Sequence, residues 1–171
     1  GTNLYEVGES WYTFDRHVGF SPTIIDKRRI LGTDLSRYTH IMMTDGSYSI
    51  TEEALTKKLK SWVQDGGVLW GQKRAAIWLA KQNLLSAEHI SAKDMRKRFE
   101  NEGLAYDQKE VLRGRQRVAG AFFNTKLDLS HPMAFGFTTS QLPLFKNGID
   151  LLLAPEKPFS LVAKYAESPL I

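Results

Sequence analysis

Apolar residues recur at helical spacing from the start of the chain. Leu4, Val7, Trp11, Phe14 and Val18 fall on one face behind Asn3, a good N-cap residue, and Gly19 with Ser21-Pro22 ends the run. Thr23-Ile24-Ile25 has the character of a short strand. Asp34 to Tyr38 reads as a turn feeding a second strand, Thr39 to Thr44, apolar enough to lie inside a parallel sheet and stopped by Asp45-Gly46-Ser47. Ser49 and Glu52 have capping-box spacing ahead of Leu55, Leu59, Trp62 and Val63, which share one helical face. That helix is expected to run to Gln64 and to close at Gly66-Gly67. Val68-Leu69-Trp70 follows as a strand, Gly71-Gln72-Lys73-Arg74 as a tight turn, and Ala75 to Ala80 as a buried helix, apolar nearly all round. Together these make a βαβα unit.

The second half is less regular. Ser91 starts an exposed helix through Asn101, stopped by Gly103; Gly120 to Phe123 begins a strand that leads into Leu127 to Pro132 and then Gly136. Phe159 to Ala166 reads as a last strand between Pro158 and Pro169. The expected architecture is a three-layer, flavodoxin-like α/β sandwich with a mostly parallel sheet.

Composition narrows the picture. With 171 residues, 42% hydrophobic and 25% charged, the chain suits one globular domain spanning 1–171. Its longest apolar runs, such as Ala75 to Ala80 and Leu151 to Ala154, are far short of the roughly 20 residues that cross a bilayer, so no membrane span is expected. The absence of cysteine removes disulfides, thiolate nucleophiles and cysteine-ligated metals together. Four histidines, His17, His40, His89 and His131, show no metal-ligand spacing, and no metal or cofactor is expected in this chain. The net charge of +4 is local: from Ser91 to Arg117 eight basic residues stand against five acidic ones, which is +3 of the total. Only Phe99 and Tyr106 are available there for stacking on bases, so nucleic acid is disfavoured and a solvated helical surface preferred.

Ligands of such folds sit beyond the carboxyl ends of parallel strands. Three places qualify as carriers of chemistry. Asp45 and Ser47 lie in a polar loop after a buried strand, where a turn with a helix cap is the preferred reading. Gly71-Gln72-Lys73 has the strand-turn-helix context of a nucleophile elbow, but Gln72 or Lys73 occupies the apex where Cys or Ser would be needed. His131 is the best general base by residue type, although His131-Pro132 more often orders a turn.

These residues, taken in order, carry a resemblance. Gly8-Glu9-Ser10-Trp11, Asp34-Leu35-Ser36-Arg37-Tyr38 leading to Asp45-Gly46-Ser47-Tyr48, Leu59-Lys60-Ser61-Trp62-Val63 with Gly66-Gly67, and Leu127-Asp128-x-x-His131-Pro132-Met133-Ala134-Phe135-Gly136 look like one family module. The chain resembles, with gaps over most of its length, the class I glutamine amidotransferase-like domain that follows the catalytic domain in large bacterial zinc carboxypeptidases. Tyr165 to Leu170 also resembles the family's run before a further hairpin. The resemblance implies a fragment of a larger protein, lacking terminal strands of the full module, with zinc and peptidase activity in a separate upstream domain. It also implies a periplasmic or secreted setting.

Two features depart from the pattern. Amidotransferases of this fold use a Cys at the elbow and a His-x-Glu pair on a later strand, and neither maps onto this sequence, so glutaminase activity does not carry over. The expected role is therefore a non-catalytic accessory domain that packs against, or serves recognition for, the parent's catalytic domain. Two alternatives stand beside it: a small-amide or ester hydrolase using His131 with Ser47 or Asp45, and a basic polyanion-binding module using Arg96 to Arg98 and Arg113 to Arg117. A module without its terminal strands would expose a sheet edge, through which a homodimer is expected.

Overall fold

A computed structural model describes residues 1–49, 52–99, 103–116, 119–156 and 161–170. The chain divides into two compact units, Gly1–Leu85 and Ser86–Ile171.

In the first unit, α1 (Leu4–Tyr12) starts where the Asn3 side chain accepts the Tyr5 N–H at 3.1 Å. The chain then widens into π-type turns over Thr13–Val18 and stops at Gly19, whose φ of 75° supplies the left-handed residue that ends the helix. The periodic face expected there exists, but it is not a core face: no residue of α1 is buried, and Leu4 is 79% exposed. Thr23-Ile24-Ile25 is irregular chain rather than a strand. Without a neighbouring strand to pair with, β-branched residues alone do not make one.

The βαβα unit forms as expected. Strand β1 (His40–Met43) pairs in parallel with β2 (Val68–Gly71), His40 opposite Val68 and Met43 opposite Gly71. Between them, α2 (Glu52–Gln64) buries Leu55, Leu59 and Trp62, while Val63, at the margin of that face, stays 38% exposed. The expected Ser49 cap abuts residues 50 and 51, which lie outside the described residues. Trp62 Nε1 donates to the carbonyls of Leu35 (2.9 Å) and Tyr38 (3.2 Å), tying the 3-10 turn Leu35–Arg37 to the helix. A Cβ on Gly67 would lie 2.4 Å from the Trp62 ring, so the turn into β2 requires glycine. Helix α3 (Arg74–Lys81) adds Ala75, Trp78 and Leu79 to a core completed by Leu35, Met43 and Tyr48.

The second unit holds the two-residue strands β3 (His89–Ile90) and β6 (Leu151–Leu152), paired antiparallel. Its larger sheet has the order β5-β4-β7, with β4 (Ala121–Leu127) central between β5 (Gln141–Lys146) and β7 (Ala163–Leu170). Both pairings are antiparallel. Two helices complete it. One is α4 (Ala92–Lys97), opened by a reciprocal Ser91 and Asp94 capping box; the other is α5 (Tyr106–Arg115), exposed along nearly its whole length.

The chain is thus mixed helix and strand, but the expected mostly parallel, flavodoxin-like sheet is corrected: among the described residues only β1 and β2 are parallel. Strand β4 has one wet face, with Phe123, Thr125 and Leu127 buried and Phe122 and Lys126 exposed, but the parallel β2 also exposes alternate residues, Val68 and Trp70, so alternation does not set direction. The connection does: residues 128–140, between β4 and β5, hold only the 3-10 turn Pro132–Ala134 and no crossover helix of the kind that returns a chain in parallel. The last strand also differs from expectation: it begins at Ala163 and runs through Pro169. Proline is tolerated there because β7 is an edge strand among the described residues, with no ladder bond needed on its outer side.

Candidate functional site

Four of the five sequence candidates gather at the carboxyl ends of β1 and β2. The ladder extends one residue past β2, with the Gln72 N–H donating to the Met43 carbonyl at 2.9 Å. That bond holds Gln72 in the sheet and makes Lys73 the apex of the turn. Lys73 has φ 49° and ψ −119°, a backbone conformation that costs a residue with a Cβ of order 1–3 kcal/mol. Arg74 then begins α3, and the Ile77 N–H reaches back to the Lys73 carbonyl at 3.3 Å. The sharpness of the turn depends on Gly71, because a Cβ there would lie 2.6 Å from Leu79 Cδ1 and 3.0 Å from the Ala76 nitrogen. A strand, a strained apex and a helix packed directly back on the strand are the elements of a nucleophile elbow.

The groups around the apex are charged and paired. The Lys73 ammonium is bound to the carboxylate of Glu6 on α1. The Arg74 guanidinium grips Asp45 with two bonds, Nε to Oδ1 at 2.8 Å and Nη2 to Oδ2 at 3.0 Å. The backbone N–H of Arg74 also points at Asp45 Oδ1, at 3.3 Å. Hydrogen bonding from Arg74 holds the Asp45 carboxyl below the usual aspartate range. Asp45 is itself fixed from behind: its carbonyl accepts the Asn3 N–H at 2.8 Å, and it sits beside Tyr48, whose hydroxyl donates to the Thr44 carbonyl at 2.7 Å. Burial raises the Tyr48 pKa.

In hydrolases built on this turn, the N–H of the residue after the nucleophile is an oxyanion donor. Here the corresponding N–H faces a carboxylate. An oxyanion developing at that position would meet the charge of Asp45 rather than a preorganised donor, the reverse of what stabilises acyl-transfer transition states.

Ser47 is exposed, with its Oγ 3.2 Å from Ser49 Oγ and its carbonyl accepting Lys27 Nζ at 2.6 Å. His131 belongs to the second unit. It opens the 3-10 turn Pro132–Ala134, its Nδ1 accepting the Met133 N–H at 3.1 Å. The neighbouring Asp128 accepts from the Ser130 N–H (3.0 Å) and hydroxyl (2.6 Å), which lowers its pKa.

Glu6 and Arg74 escaped the sequence reading. Arg74 carried a signal: a cation in the first turn of a helix is opposed by the helix dipole and calls for an anionic partner, here Asp45. Glu6 carried none, since nothing in its spacing ties α1 to residue 73.

Of the basic residues, Lys93, Arg96, Lys97 and Arg98 are exposed on and just after α4, and Lys109, Arg113 and Arg115 on α5; Arg117 lies outside the described residues. No group of three or more His, Asp or Glu that could hold a metal gathers among the described residues, and no described helix is long and apolar enough to cross a membrane. A shallow groove of about 720 Å³ runs between Leu35 to Thr39 and α2, and none of the elbow residues lines it. No family model matches the chain, and no curated protein or solved structure matches it.

Proposed function

We propose that this chain is a non-catalytic accessory module of the class I glutamine amidotransferase-like kind, serving packing or recognition in a zinc carboxypeptidase-like protein. The observation that carries this reading is the elbow itself. A residue other than glycine persists in a strained conformation only where its surroundings over-determine it, and such positions cluster at functional sites. The apex nevertheless carries an ammonium ion-paired with Glu6, and the adjacent N–H faces the Asp45 carboxylate. The frame of an acyl-transfer site is kept while its nucleophile position and its oxyanion position hold the wrong charges. Of the flavodoxin-like plan, the reading rests on the β1-α2-β2-α3 unit alone. Zinc and peptidase chemistry belong, in this proposal, to a separate domain of the parent, and export to the periplasm or medium goes with that parentage.

Two measurements test it. The native protein, isolated with an antibody against this chain and sequenced by mass spectrometry, is expected to contain a metallopeptidase domain and stoichiometric zinc. A native chain without such a domain refutes the parentage. Small p-nitrophenyl esters and anilides are expected to hydrolyse at the buffer rate in the presence of this chain. Turnover above buffer that is lost on His131→Ala together with Ser47→Ala or Asp45→Asn would establish the hydrolase alternative instead.

A second reading is favoured by the exposed cations of α4 and α5, which suit a polyanion. It predicts binding to heparin or a mixed-sequence oligonucleotide that weakens steeply with salt and is removed by charge reversal at Arg96, Lys97 and Arg98.

A further inference from the structure

The first six residues lie across the carboxyl ends of β1 and β2, where an open α/β sheet receives its ligands. Thr2 forms an antiparallel bridge with Gly46, flanked by the Asn3 N–H on the Asp45 carbonyl (2.8 Å) and the Ser47 N–H on the Gly1 carbonyl (3.3 Å). The approach is close: Gly46 is buried, and a Cβ on it would lie 2.8 Å from Thr2 Cα. One helical turn further on, Glu6 closes onto Lys73 at the elbow apex. The helix that continues from this segment buries no residue of its own. Among the described residues the segment is therefore held by two backbone bonds and one ion pair rather than by a core, which places it among the parts of a structure that open most readily.

We infer that residues 1–6 form a strap beside the elbow, latched by Glu6 on Lys73, whose opening frees the half-exposed Lys73 amine from its ion pair. This rests on contacts within the first unit and not on the amidotransferase-like reading, so the two stand or fall separately. The latch is electrostatic and half in solvent, with the Lys73 side chain 47% exposed and that of Glu6 20% exposed. Salt therefore weakens it, whereas a closure made by apolar packing would be insensitive or strengthened. What the strap governs is the ion pairing, and with it the reactivity, of a primary amine set in a strained turn at the sheet's ligand end.

The test is lysine footprinting of the whole chain with a limiting amine-acetylating ester, quantified by mass spectrometry as the ratio of labelling at Lys73 to that at Lys60, an exposed lysine on α2. Glu6→Gln removes the latch charge, and Gly46→Ala displaces the strap sterically without touching any charge. Both are expected to raise the ratio by about 1.5- to 5-fold, the range that release of one exposed ion pair allows. Unchanged ratios in both variants overturn the strap. A rise in Glu6→Gln alone also overturns it, because Glu6 would then shield its partner locally with no closure of the segment. The unmodified chain supplies an independent check. In hydrogen exchange, the Asn3 and Ser47 amides are expected to share one protection factor that falls together in about 1 M salt, where screening extends only some 3 Å. Unprotected amides at both positions refute a closed strap outright.

Discussion

Replacing Lys73 separates backbone strain from side-chain contact. Lys73→Ala and Lys73→Gly both remove the ion pair with Glu6, so that loss cancels between them. What differs is the Cβ at φ 49° and ψ −119°. At an ordinary site glycine is less stabilising than alanine by roughly 0.5–1 kcal/mol, because the unfolded chain gains freedom. At the elbow, alanine keeps the strain of about 1–3 kcal/mol and glycine relieves it. The two effects oppose, and on midrange values the strain wins, leaving the glycine variant more stable than the alanine variant by about 1 kcal/mol. Urea unfolding followed by tryptophan emission reads this difference selectively, since Trp11, Trp62, Trp70 and Trp78 all lie in the first unit. The expected result is a higher midpoint for Lys73→Gly with an unchanged slope. An alanine variant as stable as the glycine variant, or more so, would refute the claim that the apex is strained.

Other outcomes follow from the same geometry. Leu59, 1% exposed at the centre of α2, should lose about 2–5 kcal/mol of stability on truncation to alanine, read by the same emission assay. Asp45→Asn should narrow its stability deficit on acidification. The folded pKa of Asp45 lies below its unfolded value, so the contribution of the carboxylate is complete above the unfolded pKa and disappears as pH falls through the depressed folded one. Parallel melts at neutral and strongly acidic pH check this, and a constant gap counts against it. Pairing of copies along a sheet edge predicts a sedimentation coefficient that rises with concentration, and a concentration-independent monomer excludes it.

The sequence announced the βαβα unit because each of its signals was local and mutually consistent. Leu55, Leu59 and Trp62 repeat at helical spacing, Gly66-Gly67 closes the helix, and the run through Met43 stops at Asp45-Gly46. The elbow was visible for the same reason, although the sequence left Gln72 and Lys73 as rival apices, a choice settled by one ladder bond from Gln72 to Met43. The errors arose where local pattern leaves the partner undetermined. The stripe from Leu4 to Val18 has the period of a core face, but periodicity does not say that anything covers it. Helix α5 has no apolar stripe, so nothing separated its residues from a polar loop. The antiparallel order of β5-β4-β7 was not fixed by the alternation at Phe123, Thr125 and Leu127, since the parallel β2 also exposes alternate residues, Val68 and Trp70. It was missed because the parallel first half set the expectation for the second.

The pairing of Asp45 with Arg74 bears on what mutation could make of the elbow. A Cys or Ser placed at position 73 would acquire a strained apex and a neighbouring helix, but the backbone N–H meant to receive negative charge would still face a carboxylate. Glu6 would remain beside the new nucleophile with no ammonium to neutralise it. Conversion to such a site is therefore opposed at three positions at once: a change at 73 alone leaves the carboxylates of Asp45 and Glu6 beside the places an oxyanion and a nucleophile would occupy.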